Sequence, residues 1–528
     1  QTMRRDMEKL VVFSPEVVLS LLLCFFVFVL SRYYVSRRPA NNGRLPPSPP
    51  KLPLIGHLHL VGPDPHISLA ELSRKHAGRD GLMLLRLGQV PNLVVSSPSA
   101  AEAVLRTHDH VFASRPPSIV ADVLLSGPSD VALAPYGEYW RQARKLVTTH
   151  LLSATKVRAF QGAREEEVGL VVAKIRAAAA AHSAVDMTHL LGTFTNDVVC
   201  RAVSGKFFRE EGRNEVFREL IALNTAVTAG FNAVDYFPSL AKVPLLQRVL
   251  LAKTSRLKKR WDEFLDKITE DHATRSASLP VQDEQDKDMV DVLLSLQHEY
   301  NLTTDNLRGI LMDMFEAGTD TSYVTLEFAM AELIRKPRLM AKLRDEVRSK
   351  TPGTQQMVKA DDLGGMYYLK AVVKETLRLH PPAPLLLPRV SMADCDDVNG
   401  YTVPAGTQVI VNAWALGRDT GSWGEKADEF SPERFVEGGA SAAADFKGRD
   451  FHFLPFGAGR RVCPGIGFGI ATVEVMLANL VYCFDWELPH GMQEGDVDMT
   501  EEFGLTTRLK VKLLLVPTIP PQHAHHTS

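Results

Sequence analysis

The sequence predicts a mainly α fold with small β-sheets, a single large domain behind an N-terminal transmembrane helix. Three observations lead there. Helical periodicity runs through most of the chain, with its longest stretch at 304–336. Strand-like patterning is confined to short segments at 82–87, 92–96 and 401–411. Residues 10–30 are apolar apart from Ser14, Pro15, Glu16 and Ser20. As a helix rising about 1.5 Å per residue, that run spans a hydrocarbon core of about 30 Å.

Residues 1–9 flank the expected anchor at 10–30, and Glu16 lies near one end, where it can snorkel to the interface. No small-x-small cleavage site follows. The segment Ser31-Arg-Tyr-Tyr-Val-Ser-Arg-Arg38 reads as stop-transfer and interfacial anchoring, so a retained anchor is expected rather than a cleaved signal. Arg32, Arg37, Arg38 and Arg44 favour a cytosolic C-terminal side; Arg4, Arg5 and Lys9 compete, and an initiator at Met7 would remove two of them. The basic, proline-rich linker and hinge covers 31–56, with five prolines within 45–53 that enforce a stiff extended segment. The domain is expected at 57–517, followed by a flexible tail at 518–528 whose histidines His523, His525 and His526 read as solvated.

Charge is nearly balanced, 60 Lys+Arg against 62 Asp+Glu, which gives no case for a nucleic-acid partner. Although 528 residues could hold several domains, no linker separates independent cores. The five cysteines, Cys24, Cys200, Cys395, Cys463 and Cys483, are odd in number and scattered without a C-x-x-C pair. That argues against a disulfide framework or zinc site and suits a reducing, cytosol-facing environment.

Within the domain, 82–87 and 92–96 form one strand pair with Gly88 and Pro91 in the turn, and 401–411 reads as a hairpin turning at Pro404-Ala-Gly406. The long helix is opened by Thr304-Asp305 and stopped by Pro337. It contains Ala317-Gly-Thr-Asp-Thr-Ser322, poor helix formers. Hydroxyls there can take i−4 carbonyls and loosen the ladder, opening a notch for a small molecule; equally, Gly318 can mark a helix–helix contact. A second helix, 367–380, ends at Pro381-Pro382 and carries Glu375 and Arg378 at i, i+3 among Leu369, Val372, Val373, Leu377 and Leu379. Burial of that pair would demand a third partner, and Arg434 in Pro432-Glu-Arg-Phe435 is available.

The most informative segment is Phe456-Gly-Ala-Gly-Arg-Arg-Val-Cys463-Pro-Gly-Ile-Gly467. Its pattern Phe-x-x-Gly-x-Arg-x-Cys-x-Gly gives each position a task if Cys463 is the axial thiolate of a haem iron. Backbone N–H groups and the start of a following helix (466–482) would favour the thiolate. Gly459 and Gly465 would let the backbone pass close to a flat cofactor. Arg461 can reach a propionate, and Phe456 can shield the sulfur. Two propionates would need cations on more than one element; Trp140 and Arg144, at i and i+4 on one helix face, and Arg389, after Leu385-Leu-Leu-Pro388, are the candidates.

These segments, in this order, resemble the cytochrome P450 superfamily of haem-thiolate monooxygenases from the hinge to about Val516. The anchor, the hinge and Phe112-Ala-Ser-Arg-Pro116 look like plant microsomal members. Thr107-His-Asp-His-Val-Phe-Ala-Ser-Arg115 and Tyr136-Gly-Glu-Tyr-Trp-Arg-Gln142 look most like the grass indole/indolinone hydroxylases. The resemblance implies the cytochrome P450 fold and haem b, iron protoporphyrin IX. It implies that Thr321 hydrogen-bonds O2, that Asp320 helps deliver protons, and that Ala317 lies in the same cofactor-facing motif. Glu375, Arg378 and Arg434 would be a structural lock behind the haem. Substrate-facing residues are expected in 118–125, 232–237, 313–321, 384–387 and 503–506, among them Ser118, Phe315, Leu386 and Leu505, and suit a small lipophilic or aromatic substrate. The implied reaction inserts one atom of O2 into that metabolite. Gly465-Ile-Gly-Phe-Gly469 belongs to the cysteine loop and is no dinucleotide fingerprint, so NADPH electrons are expected through a separate NADPH-cytochrome P450 reductase. Arg141, Lys145 and Arg460 are candidates for its docking, and the location implied is the endoplasmic reticulum membrane with the domain facing the cytosol. Two other readings stay open: a haem-thiolate isomerase or dehydratase acting on a peroxide without O2 or reductase, which typically lacks the acid–alcohol pair, and a haem carrier or sensor.

Overall fold

The computed structural model describes residues 44–520 except 79, 128, 207, 229–232 and 279–286. The expected anchor, its flank, most of the linker, Cys24 and the tail from 521 lie outside the described residues. The helices that carry the argument are α1 (Glu138–Leu146), α2 (Gln161–Ala180), α3 (Met187–Ser204), α4 (Arg213–Thr228), α5 (Thr304–Arg335), α6 (Tyr367–Leu379) and α7 (Ile466–Cys483). Helix α5 crosses the middle of the domain and packs chiefly on α3 and α7. Every residue of α5 from Ser322 to Ile334 is buried, with both apolar and polar faces covered, as expected of a helix surrounded by others.

Helix starts follow local chemistry. The cap of α5 is Thr303, one residue earlier than Thr304-Asp305, because the Thr303 side chain accepts from Asn306 N while Asn306 returns a bond to Thr303 N. Pro337 opens the next helix, Pro337–Lys350, where its missing N–H costs nothing. Among the described residues α7 is long and apolar enough to cross a membrane, but two-thirds of it is buried in the core (67%).

The main sheet runs β1 (Leu82–Leu87), β2 (Val90–Val95), β7 (Gln408–Val411), β4 (Arg389–Val390), with β2 and β7 parallel and the other pairs antiparallel. Two expectations need correction. Pro91 lies inside β2 opposite Arg86, and the turn is formed by Gly88 and Gln89. The 401–411 segment is no hairpin: β6 (Tyr401–Val403) pairs with β5 (Cys395–Val398), while β7 joins the main sheet. The turn at Pro404 exists (Thr407 N to Pro404 O, 3.3 Å), but it passes the chain between two sheets. Near the end of the chain, β11 (Leu514–Thr518) lies between β3 (Val185–Asp186) and β8 (Asp485–Glu487). Finally β9 (Glu501–Glu502) pairs with β10 (Arg508–Leu509) around the 503–507 loop.

Candidate active site

The cysteine loop closes on itself through Cys463 N donating to Phe456 O at 3.0 Å. It delivers the sulfur to the start of α7, where Gly465 N donates to Cys463 Sγ at 3.3 Å. Burial pushes the Cys463 thiol up, while the Gly465 N–H, the Arg144 guanidinium and the Ile466 N–H pull the other way. These are the groups that would hold a thiolate. Phe456 packs edge-on against Phe446, centroids 5.4 Å apart.

The glycine expectation is half corrected. Gly459 has φ +67°, and a Cβ there would collide with the Leu105 carbonyl and lie 2.6 Å from Asp109 Oδ1; the crowding comes from the chain's own 105–109 segment. Gly465 has φ −87°, and a Cβ would sit 3.7 Å from Cys463 Sγ, an ordinary contact.

Around the loop lies a buried cationic cradle. Arg461 donates to the carbonyls of Ala113 (2.7 Å), Ala134 (2.6 Å) and Val131 (3.3 Å) and stacks over Trp140 at 4.1 Å. Trp140 Nε1 donates to the same Val131 carbonyl at 3.0 Å. Arg144 donates to Val462 O at 2.5 Å. Arg389 bonds Asp109 Oδ1 at 2.9 Å and Ala458 O at 2.5 Å. Arg115, missed by the sequence reading as a site residue, donates to Ala132, Leu387 and Pro388 carbonyls at 2.7, 2.7 and 2.8 Å. Burial depresses Arg461 to about 10, with Arg389 and Arg144 adding to that; burial, then Arg461 and Arg389, depress Arg115. Against these cations stand Asp109, also engaged by Arg460 at 2.8 Å, and Asp130, which burial pushes up. The surplus positive charge fits a ligand with two carboxylates, and the donor set fits haem.

Helix α5 is continuous from Thr304 to Arg335, so the expected loosening is no break in the ladder. The hydroxyls do bond back: Thr321 to Ala317 O at 2.7 Å, Thr319 to Phe315 O at 2.9 Å. Ala317 is exposed, and Asp313, Met314, Glu316, Gly318, Asp320 and Thr321 around it are half-buried, whereas 322–334 are buried; this marks one open strip on an otherwise covered helix. Gly318 faces α3, where a Cβ would lie 2.9 Å from Val199 Cγ2, so it is the helix contact. Burial pushes Asp320 up to about 6 against the pull of Arg508.

Other expected positions divide. Phe315 is fully buried against Phe217 and Phe264, with centroids 4.6 and 5.7 Å away, so it belongs to the core, not to a substrate pocket. Ser118 caps the Ile119–Leu124 helix and donates to Asp235 Oδ2 at 3.2 Å. Leu386 lies beside Gly457 of the cysteine loop, and Leu505, 38% exposed, sits on the 503–507 loop. Sequence reasoning also missed what Asp313 does: it accepts from Val131 N and Ala132 N at 2.7 and 3.0 Å, tying α5 to the segment that Arg461 and Trp140 hold.

Behind the site, Arg378 makes a bidentate pair with Glu375 at 2.7 and 2.8 Å. It also donates to Gly417 O, to Ala427 O at 2.6 Å and to Glu429 O at 3.0 Å. Glu375 accepts further from Ser431 N at 2.6 Å and Arg434 Nε at 3.4 Å.

Fold and site together define the class, a helical haem protein with a cysteine loop. The family model described as Cytochrome P450 matches residues 46–514. The chain belongs to that family, as a monooxygenase. It is similar to the indole-2-monooxygenase of Zea mays, 59% identical over 472 residues covering 89% of this chain and 87% of the relative. The indolin-2-one monooxygenase of Zea mays is 54% identical, covering 95% and 96%. Among solved structures, a zebrafish cytochrome P450 with progesterone superimposes at a TM-score of 0.71 and 25% identity, over 86% of this chain and 99% of that one.

Proposed function

We propose that the protein inserts one oxygen atom of O2 into an aromatic, indole-type heterocycle, using NADPH electrons passed by a separate membrane-bound reductase. The observation that carries this reading is the site's combination of a helix-start cysteine, a cationic cradle and an intact Asp320-Thr321 pair in a chain whose relatives are named for indole-type substrates. Cys463 would ligate haem b through its sulfur, and the bound group would supply activation of O2 by two electrons and two protons. The chain's own part is to hold that group and manage protons. Arg461, Arg144, Arg389, Arg115 and Trp140 would bind the propionates. Thr321 and Asp320 lie on the open strip of α5, and a carboxyl near 6 can take up and release protons close to neutral pH.

Thr321→Ala is expected to fold and load haem but to yield less product per NADPH, the remainder appearing as hydrogen peroxide. Unchanged product per NADPH would remove Thr321 from the relay. NADPH consumption that depends on both substrate and reductase tests the whole reading; turnover of a peroxide without either would favour an isomerase or dehydratase.

We also propose the membrane location, with an anchor at 10–30, a hinge through 56 and the catalytic domain at 57–517. The described surface supports contact with lipid beside the hinge: Leu54 is 60% exposed, Leu245 75% and Val249 66%. The 52–56 turn meets the 236–239 segment through the β1–β2 turn, Gly88 N bonding Ile55 O and Gln89 N bonding Tyr236 O. Deleting residues 1–30 is expected to leave haem content intact and abolish carbonate-resistant membrane association, with peripheral binding retained. Loss of haem on deletion would place those residues in the fold. Of the docking candidates, Arg141 and Lys145 are exposed; Arg460 is tied to Asp109, which leaves the first two as the stronger candidates.

A further inference from the structure

Helix α5 carries an acid that neither the haem cradle nor the proton pair uses. Glu316 follows Asp313 by three residues and precedes Asp320 by four, so it shares their side of the helix and adjoins exposed Ala317. Its Oε1 accepts from Asn224 of α4. Among the described residues its Oε2 has no hydrogen-bond partner, and no cation pairs with the carboxyl. The side chain is only half-buried, beside exposed Ala317. A partly exposed carboxyl with one oxygen unpartnered is open to a small polar ligand.

We propose that the Glu316 carboxyl binds the substrate's ring N–H and the adjacent ring carbonyl as a matched pair, selecting cyclic cis-lactams over the parent indole. This rests on the indole-type reading above and narrows it. A neutral carboxylic acid offers one O–H donor beside one carbonyl acceptor, the complement of a cis-lactam. Oε2–H would donate to the lactam carbonyl, while Oε1 keeps one lone pair for Asn224 and offers the other to the lactam N–H. An indole lacks the carbonyl, and an N-alkylated lactam lacks the donor. The neutral form is the one present: burial, then Asp320 and Asp130, push Glu316 up to about 8. The charged groups that face it are Asp320 and Asp313 on its own helix and Asp130 from the segment before α1, with uncharged Asn224 from α4. All three charged neighbours are acids, so each disfavours ionisation of Glu316.

The test measures dissociation constants of the haem-loaded protein by equilibrium dialysis for three probes that do not titrate near neutrality: indolin-2-one, N-methylindolin-2-one and indole. Wild type is expected to bind indolin-2-one roughly tenfold tighter than either other probe, the size of the one net hydrogen bond that each of them lacks. The preference over indole should fade as pH rises through about 8, where Glu316 ionises and loses its O–H donor, while the preference over N-methylindolin-2-one persists because a carboxylate still accepts from the N–H. Glu316→Gln, whose amide also pairs a donor with an acceptor, should keep the preference but lose its pH dependence. Glu316→Leu should bind all three probes alike. Equal wild-type affinity for the lactam and its N-methyl analogue overturns the proposal, as does a pH profile shared by wild type and Glu316→Gln, or a Glu316→Leu protein that keeps the preference. Those outcomes leave the indole-type reading standing if wild type still oxidises indole; failure to bind or oxidise any of the three overturns both.

Discussion

Cys463→Ala is expected to abolish the red-shifted Soret band of the reduced carbon monoxide complex and all product formation, while the domain remains folded. The loop places the sulfur against the start of α7, with Gly465 N at 3.3 Å and the Arg144 guanidinium nearby. Those partners favour a charged sulfur. The other described cysteines lack that loop: Cys200, Cys395 and Cys483 are buried and burial pushes each of them up; arginines pull Cys200 and Cys483 back, but among the described residues only Cys463 receives a backbone N–H on its sulfur. Alanine removes the ligand but leaves the loop, whose closure depends on the backbone bond from residue 463 to Phe456. Circular dichroism and thermal unfolding separate ligand loss from misfolding. A Cys463→Ala protein that keeps the band would end the assignment.

Glu375→Gln and Arg378→Ala should each lower stability by about 3–5 kcal/mol, the cost of breaking a buried ion pair from one side. Typical domains have only about 5–15 kcal/mol in total, so little haem-loaded protein should be recovered. The reason lies in the number of groups left unmatched. Arg378→Ala strands the carbonyls of Gly417 and Ala427 and leaves that of Glu429 only the 3.4 Å bond from Arg434; Glu375→Gln removes the charge that Arg378 and Arg434 share. The exposed pair Lys426–Glu429, 3.3 Å apart, is the control: Lys426→Ala should cost no more than about 1 kcal/mol. Unfolding midpoints and haem content read both. A Glu375→Gln protein as stable as the control would show that the lock bears no load.

Much of this was legible in sequence because it is local. The extents of α5, α6 and α7 follow from caps, prolines and periodicity, and the cysteine's place before α7 follows from its glycines. What failed was non-local. Phe315 falls inside a motif expected to face substrate, yet α5 is enclosed on nearly all sides, so periodicity cannot say which apolar residue meets other helices. The 401–411 segment has the pattern of a hairpin, but its two strands are too short for adjacency to decide their partners, and β2 wins β7. The arginine cradle was found in part; Arg115 was missed because its partners are backbone carbonyls, which carry no residue signature. Asp313 escaped for a similar reason, since it bonds the amides of Val131 and Ala132 far away in the chain.

The position of β11 imposes an order on biosynthesis. Val185–Asp186 have no strand partner until Leu514–Leu515 emerge, and Met187 at the head of α3 takes its backbone acceptor from Leu513. Leu513 and Leu515 also fill the main core. Because chains fold from the N-terminal side as they leave the ribosome, β3 and the head of α3 stay unpaired until residues 513–515 have emerged, more than 300 residues later in synthesis.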